Sequence, residues 1–161
     1  MKGFKRSSGV LLPVFSLPSN YGIGTIGKAA YDFIDFLHSA KQAYWQILPV
    51  GSTGFGDSPY RSFSTYAGNP YFIDLDLLIK DGLISKEDVD GFDWGNDPEK
   101  IDYGKIYSAK FAILEMAYKN GIEKDREKYE KFKEENFRCS VWCICGNQSD
   151  SSVLCGSLCV R

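Results

Sequence analysis

Residues 9–14 read Gly-Val-Leu-Leu-Pro-Val, residues 28–41 read Lys-Ala-Ala-Tyr-Asp-Phe-Ile-Asp-Phe-Leu-His-Ser-Ala-Lys, and residues 44–50 read Tyr-Trp-Gln-Ile-Leu-Pro-Val. The first and third are short apolar runs of the kind that form strands buried on both faces. Between them Ala30, Phe33, Ile34 and Leu37 recur at helical spacing while Asp32, Asp35 and Lys41 face elsewhere, which predicts an amphipathic helix. Strand, helix, strand over about 40 residues is a βαβ unit, in which the strands run parallel and the crossover is right-handed. The fold class that follows is α/β.

Working outward, residues 16–27 are rich in turn formers. The second strand leads straight into residues 51–76, Gly-Ser-Thr-Gly-Phe-Gly-Asp-Ser-Pro-Tyr-Arg-Ser-Phe-Ser-Thr-Tyr-Ala-Gly-Asn-Pro-Tyr-Phe-Ile-Asp-Leu-Asp. Tyr60, Phe63, Tyr66 and Tyr71 offer flat faces for pyranose rings, and Ser58, Ser62, Ser64, Thr65 and Asn69 offer short polar groups for sugar hydroxyls. The plainer use of some of these rings, Phe63 and Phe72 especially, is core packing. Further on, residues 76–84 predict a short helix stopped at Gly82, and Ser85 predicts an N-cap followed by acids. Tyr107, Phe111, Leu114 and Tyr118 mark one face of a helix over 103–119, and residues 124–135 continue as a charged helix. With no strand signal in 77–136, the βα alternation is interrupted by a mostly helical insertion.

Composition excludes several function classes. The balance of 19 basic and 21 acidic residues gives a net charge of -2, too near neutral for phosphate-backbone binding. No apolar run approaches the length of a membrane helix, and the N-terminus lacks the apolar region of a signal peptide, so a cytoplasmic location is expected. All five cysteines, Cys139, Cys143, Cys145, Cys155 and Cys159, lie beyond a charged stretch ending at Asn136. Their spacing does not match paired C-x2-C zinc modules and no histidine lies nearby, so no metal is expected.

Gly22-Ile-Gly-Thr-Ile-Gly27 is a literal G-x-G-x-x-G. It stands too far from the first strand, however, and the acid expected after the second strand is replaced by Pro49-Val50-Gly51, which argues against dinucleotide binding. His38, the single histidine, lies on the crossover helix, where a structural or surface role is expected. Asp74 and Asp76 share one side of an extended segment, which invites a paired-carboxylate reading. The simpler reading is that Asp76 caps the next helix and Asp74 is solvated. Asp57 in Gly-Asp-Ser-Pro-Tyr is the better candidate for a site residue, although an Asp before Ser-Pro is also an ordinary turn former.

Four ordered motifs resemble the N-terminus of the amylomaltases, the 4-alpha-glucanotransferases or disproportionating enzymes of glycoside hydrolase family 77. They are the run from Ser7 to Gly27, Tyr44-Trp-Gln-Ile-Leu-Pro-Val-Gly51, Gly56-Asp-Ser-Pro-Tyr60 and Ala67-Gly-Asn-Pro-Tyr71. The resemblance implies the first two strands of a (β/α)8 barrel, spanning residues 1–136 with a helical insertion over about 77–136. It also implies transfer of alpha-1,4-glucan segments between maltodextrins or starch-type glucans, by a retaining double displacement and without a cofactor. Barrel sites form from loops at the carboxyl ends of strands, which puts the segment after Val50 in the glucan cleft. Carried onto the matching motifs, Ser58 and Tyr60 would contact donor-side glucose units, with Asp57 and Asn69 as supports.

The family's nucleophile, acid/base and stabilising carboxylates lie on later barrel strands, and none of their motifs occurs here. The chain as given is therefore expected to be inactive, with exposed strand edges that favour aggregation. Residues 137–161 form a cysteine-rich tail outside the family pattern and are not expected to be a domain. A shifted reading frame from about residue 137 accounts for it; a genuine divergent tail is the alternative. A non-catalytic maltodextrin-binding or interaction polypeptide is the rival to the enzyme reading. A metal-binding tail on a degenerate domain is a third.

Overall fold

The structure is a computed structural model and describes residues 6–53, 56–62, 67–95, 97 and 99–135. The βαβ unit is present: β1 (Gly9–Leu11), α1 (Lys28–Ser39) and β2 (Tyr44–Gln46), with β1 and β2 paired in parallel. The register sets Gly9 against Tyr44, Val10 against Trp45 and Leu11 against Gln46. One further bond, from the Leu12 amide to the Gln46 carbonyl at 3.0 Å, extends the ladder to the edge of Pro13, which has no N–H to donate. The Trp45 indole seals this corner, donating to the Leu12 carbonyl at 2.8 Å and meeting the Phe33 ring of α1 edge-on at 5.1 Å.

The strands are shorter than the apolar runs predict, and they are not buried on both faces. Leu11 is 56% exposed, Tyr44 65% and Ile47 41%. Among the described residues the sheet has two strands, so its outer edges and much of its apolar side-chain surface meet no neighbour.

The helical segment consists of α2 (Leu75–Lys80), α3 (Lys86–Asp90) and α4 (Tyr103–Glu135). One expectation is corrected here. Asp74, not Asp76, caps α2, its carboxylate accepting the Leu77 amide at 3.0 Å. The helix expected over 103–119 and its charged continuation over 124–135 form one α4, started by Asp102, whose carboxylate accepts the Lys105 amide at 3.1 Å. Gly121 lies within it and packs against Leu83, whose Cδ2 would stand 2.9 Å from an added Cβ. The buried stripe of α4 runs Ile106, Ala109, Lys110, Ile113, Leu114, Ala117, Gly121. It lies beside the expected face, and Tyr107 is 59% exposed.

α4 ties together two apolar clusters. Ile106 packs with Val14, Leu17, Ile23, Ala30, Tyr71 and Phe72, beside the sheet. Ile113 and Ala117 pack with Tyr21, Leu75, Ile84 and Val89, under α2 and α3. Beyond Gly121 the helix carries exposed ion pairs, Glu123 with Arg126, Asp125 with Lys128 and Glu130 with Lys133, which add little stability at the surface.

Ser85 caps α3 through a reciprocal box, accepting the Asp88 amide at 3.2 Å while Asp88 accepts the Ser85 amide at 2.9 Å. The Ser85 amide and then the Ser85 hydroxyl, at 2.7 Å, both donate to the Asp88 carboxylate and hold it below the usual range. Ser85→Ala is expected to cost about 1 kcal/mol in urea denaturation. An unchanged midpoint would show that packing of Val89 alone holds α3.

Candidate functional site

The loop after β2 leaves and returns through a closed neck. Gly51 and Gly68 form an antiparallel bridge, the Ser52 amide donates to the Ala67 carbonyl at 3.3 Å, and the Asn69 amide donates to the Val50 carbonyl at 2.9 Å. These bonds close the neck of the loop. Beyond the neck Gly56 and Asp57 both take left-handed backbone, with φ of 87° and 52°. An aspartate tolerates this region better than most residues. A turn follows, in which the Arg61 amide donates to the Ser58 carbonyl at 3.1 Å with Pro59 at its second position.

The four sequence-predicted site residues divide into two groups. Tyr60 is 71% exposed and presents its ring to solvent. Ser58 is half-buried beside it, its hydroxyl 3.4 Å from the Tyr60 amide. Asp57 and Asn69 face the base of the loop, where with Thr53, Pro59, Tyr71 and Tyr103 they surround a cavity of about 10 Å³, room for about one water. Asn69 is buried and its side-chain oxygen accepts the Tyr71 amide at 3.0 Å, capping the short 3-10 turn Pro70–Phe72. Phe63, Ser64, Thr65 and Tyr66 lie outside the described residues, as does the cysteine-rich tail.

The Tyr71 ring is not a sugar platform. It is 7% exposed and packs against Tyr103 and Phe111. Burial pushes its phenol up to about 12, with the Asp57 carboxylate adding to the shift. Burial and then Asp57 raise Tyr103 as well, so both hydroxyls are neutral donors at pH 7. Phe72, the ring expected to be core, is buried. Ser52 at the neck is 7% exposed, and its hydroxyl has no hydrogen-bond partner among the described residues.

Asp74 and Asp76 do not face one another as a catalytic pair. Thr25 donates to the second Asp74 oxygen at 2.5 Å, and the Tyr21 hydroxyl donates to Asp76. Burial, followed by that hydrogen bond, pushes the Tyr21 phenol well above its ordinary value. His38 is exposed on α1. The described residues hold no cluster of three metal-ligating side chains, and no helix among them is long and apolar enough to cross a membrane.

The profile of glycoside hydrolase family 77, described as 4-alpha-glucanotransferase, matches residues 12–143. The chain belongs to this 4-alpha-glucanotransferase family. The match passes the boundary that composition suggests at residue 136. Among the family's members, a 4-alpha-glucanotransferase of Streptococcus pneumoniae serotype 4 is 53% identical over 133 residues, covering 82% of this chain and 26% of its own. That of Clostridium butyricum is 52% identical over 122 residues, covering 76% and 25%. In structure, the amylomaltase from Streptococcus agalactiae in complex with acarbose superimposes with a TM-score of 0.80 at 46% identity, covering 84% of this chain and 28% of that one. The chain thus spans about a quarter of the length of the curated relatives it matches.

Sequence reading missed Tyr103, Ser52 and Lys110. A signal for Lys110 was present, since it falls on the apolar stripe between Ile106 and Ile113, where a solvated lysine does not belong.

Proposed function

We propose that this chain is the glucan-binding N-terminal portion of a 4-alpha-glucanotransferase, built on the opening strands of a (β/α)8 barrel. The observation that carries the reading is the loop with a hydrogen-bonded neck at the carboxyl end of β2. It sets an exposed tyrosine ring beside a serine hydroxyl, at the end of the strand where barrel enzymes build their sites. Tyr60 would stack on a pyranose face and Ser58 would bond a sugar hydroxyl. Asp57 and Asn69 would support them from beneath, by shaping the tip and the return of the loop. The similarity to an amylomaltase solved with acarbose favours an alpha-glucan as the ligand.

The exposed apolar surface of β1 and β2 supports the barrel. Val10, Leu11 and Tyr44 on the strands, and Ile47 just after β2, are exposed apolar side chains suited to burial against further strands and helices. In the complete reaction a carboxylate nucleophile and a carboxylic acid/base from later strands would transfer the glucan segment with retention. The residues of this chain would hold the donor chain in register for that step. No charge or membrane-helix signal conflicts with a cytoplasmic enzyme acting on maltodextrins.

Titration of the chain with maltoheptaose tests the reading. Binding is expected, and Tyr60→Ala is expected to weaken it by about 1 kcal/mol, the worth of one aromatic face. Because the ring is exposed, the melting temperature should not move. Equal affinity in the variant would remove Tyr60 from the site. Conversion of maltotriose to glucose and longer maltodextrins by this chain alone would show that the catalytic acids lie within it.

A further inference from the structure

Residues 69–74, where the loop returns to the body, are held from four sides. The Asn69 amide reaches the Val50 carbonyl at the end of β2, the Ile26 amide donates to the Phe72 carbonyl at 2.9 Å, and Thr25 bonds Asp74. The fourth hold comes from α4, where the Lys110 ammonium donates to the Ile73 carbonyl. Lys110 is fully buried, and it is the one charged residue in the core among those described. Asp74, the next residue along, is the nearby opposite charge.

A buried ammonium is a costly way to fill a helix-packing position that a methionine or leucine would fill without penalty. What an apolar side chain cannot do is bond the Ile73 carbonyl, which sits between the 3-10 turn Pro70–Phe72 and the Asp74 cap of α2. The bond fixes α4 against a point five residues from the Gly68 bridge, so the position of the loop neck depends on it.

We infer that Lys110 is a positioning residue for the loop's turn at 57–60, acting through the Ile73 carbonyl on Asn69 and Tyr71, which share a cavity with Asp57 and Pro59. The inference rests on the reading of that loop as a glucan contact. It separates stability from affinity, because removing the charge removes a burial penalty while releasing the loop.

The test uses the 161-residue chain, with Lys110→Met compared against Lys110→Arg. In Lys110→Met, amide exchange should quicken about tenfold at Asn69, Phe72, Ile73 and Leu77 while the amides of α1 keep their protection. Maltoheptaose affinity should fall about tenfold, the scale of a small misplacement of binding groups. Melting temperature should hold or rise. Lys110→Arg, which keeps a charged donor, should recover most of the lost protection and affinity. Unchanged exchange and affinity in Lys110→Met would overturn the inference. So would general unfolding of that variant, which would make Lys110 a core residue with no separable effect on the loop. If the parent chain does not bind maltoheptaose, the glucan reading of the loop fails by itself, and the exchange data decide the clamp: a loss confined to residues 69–77 upholds it, and no loss refutes it.

Discussion

Gly24→Ala is expected to destabilise the chain by about 3 kcal/mol or more, the upper end of overpacking costs. An added Cβ would lie 2.1 Å from the Val14 carbonyl oxygen and 2.8 Å from both the amide nitrogen and the carbonyl oxygen of Leu17. These are backbone atoms, held by the 3-10 turn Val14–Ser16 and by the bond from the Gly24 amide to the Phe15 carbonyl at 3.1 Å. They cannot swing aside as the end of a side chain can. Gly82→Ala is the control: Gly82 has a φ of 72° but open space around it, so the variant is charged only for the left-handed backbone, about 1 kcal/mol. Urea denaturation of the two variants separates packing from conformation, and equal losses would mean that the segment 14–17 yields. The same geometry explains the G-x-G-x-x-G spelling. At Gly22 the Trp94 carbonyl, at Gly24 the Val14 carbonyl and at Gly27 the Asp74 carboxylate stand where a Cβ would go. These glycines let the protein pack against itself, leaving no space there for a pyrophosphate.

Stability is expected to rise between pH 8 and pH 10, against the usual alkaline trend. Burial pushes the Lys110 ammonium down from 10.5 to about 8, with Asp74 pulling partly the other way. Below pH 8 the folded and unfolded chains both carry the proton, and the penalty for burying the charge is present in full. Between pH 8 and 10.5 the unfolded chain binds more protons than the folded one, so stability increases with pH by a total of about 3 kcal/mol if the window is completed. Tyr71 opposes it from about pH 10. Its folded value of about 12 means that the unfolded chain loses the phenolic proton first, so stability falls as pH rises from 10 to 12. Denaturation midpoints under reducing conditions should therefore peak near pH 10, and Lys110→Met should abolish the rise. A rise that persists in the variant would assign it to another group.

The βαβ unit, the N-cap at Ser85 and the family were all legible in the residues, because each depends on local spacing or on a run of specific types. The 3.6 period of residues 28–41 dictates α1, and the apolar runs around Val10 and Trp45 dictate strands whatever surrounds them. The exposed Tyr60 beside Ser58 was also within reach, since a Gly-Asp-Ser-Pro-Tyr turn presents its last residues outward.

What local pattern could not supply were the pairings between segments far apart in the chain. Asp74 and Asp76 are equivalent as text. Thr25 and Tyr21, brought up by the fold of the first loop, decide that one caps α2 while the other takes a phenol. Tyr71 looked like a sugar platform because its neighbours are polar, and it became core because α4 lays Tyr103 and Phe111 across it. Lys110 stands out on the apolar stripe of α4, but only the fold shows that the Ile73 carbonyl is what its ammonium meets inside. The sequence by itself determined the α/β character, the family and the chemistry offered by the loop, all of which are short-range. Tertiary structure alone decided which polar groups are consumed in holding the loop and which are left to meet a ligand, because burial and hydrogen-bond partnership are set by contacts tens of residues apart.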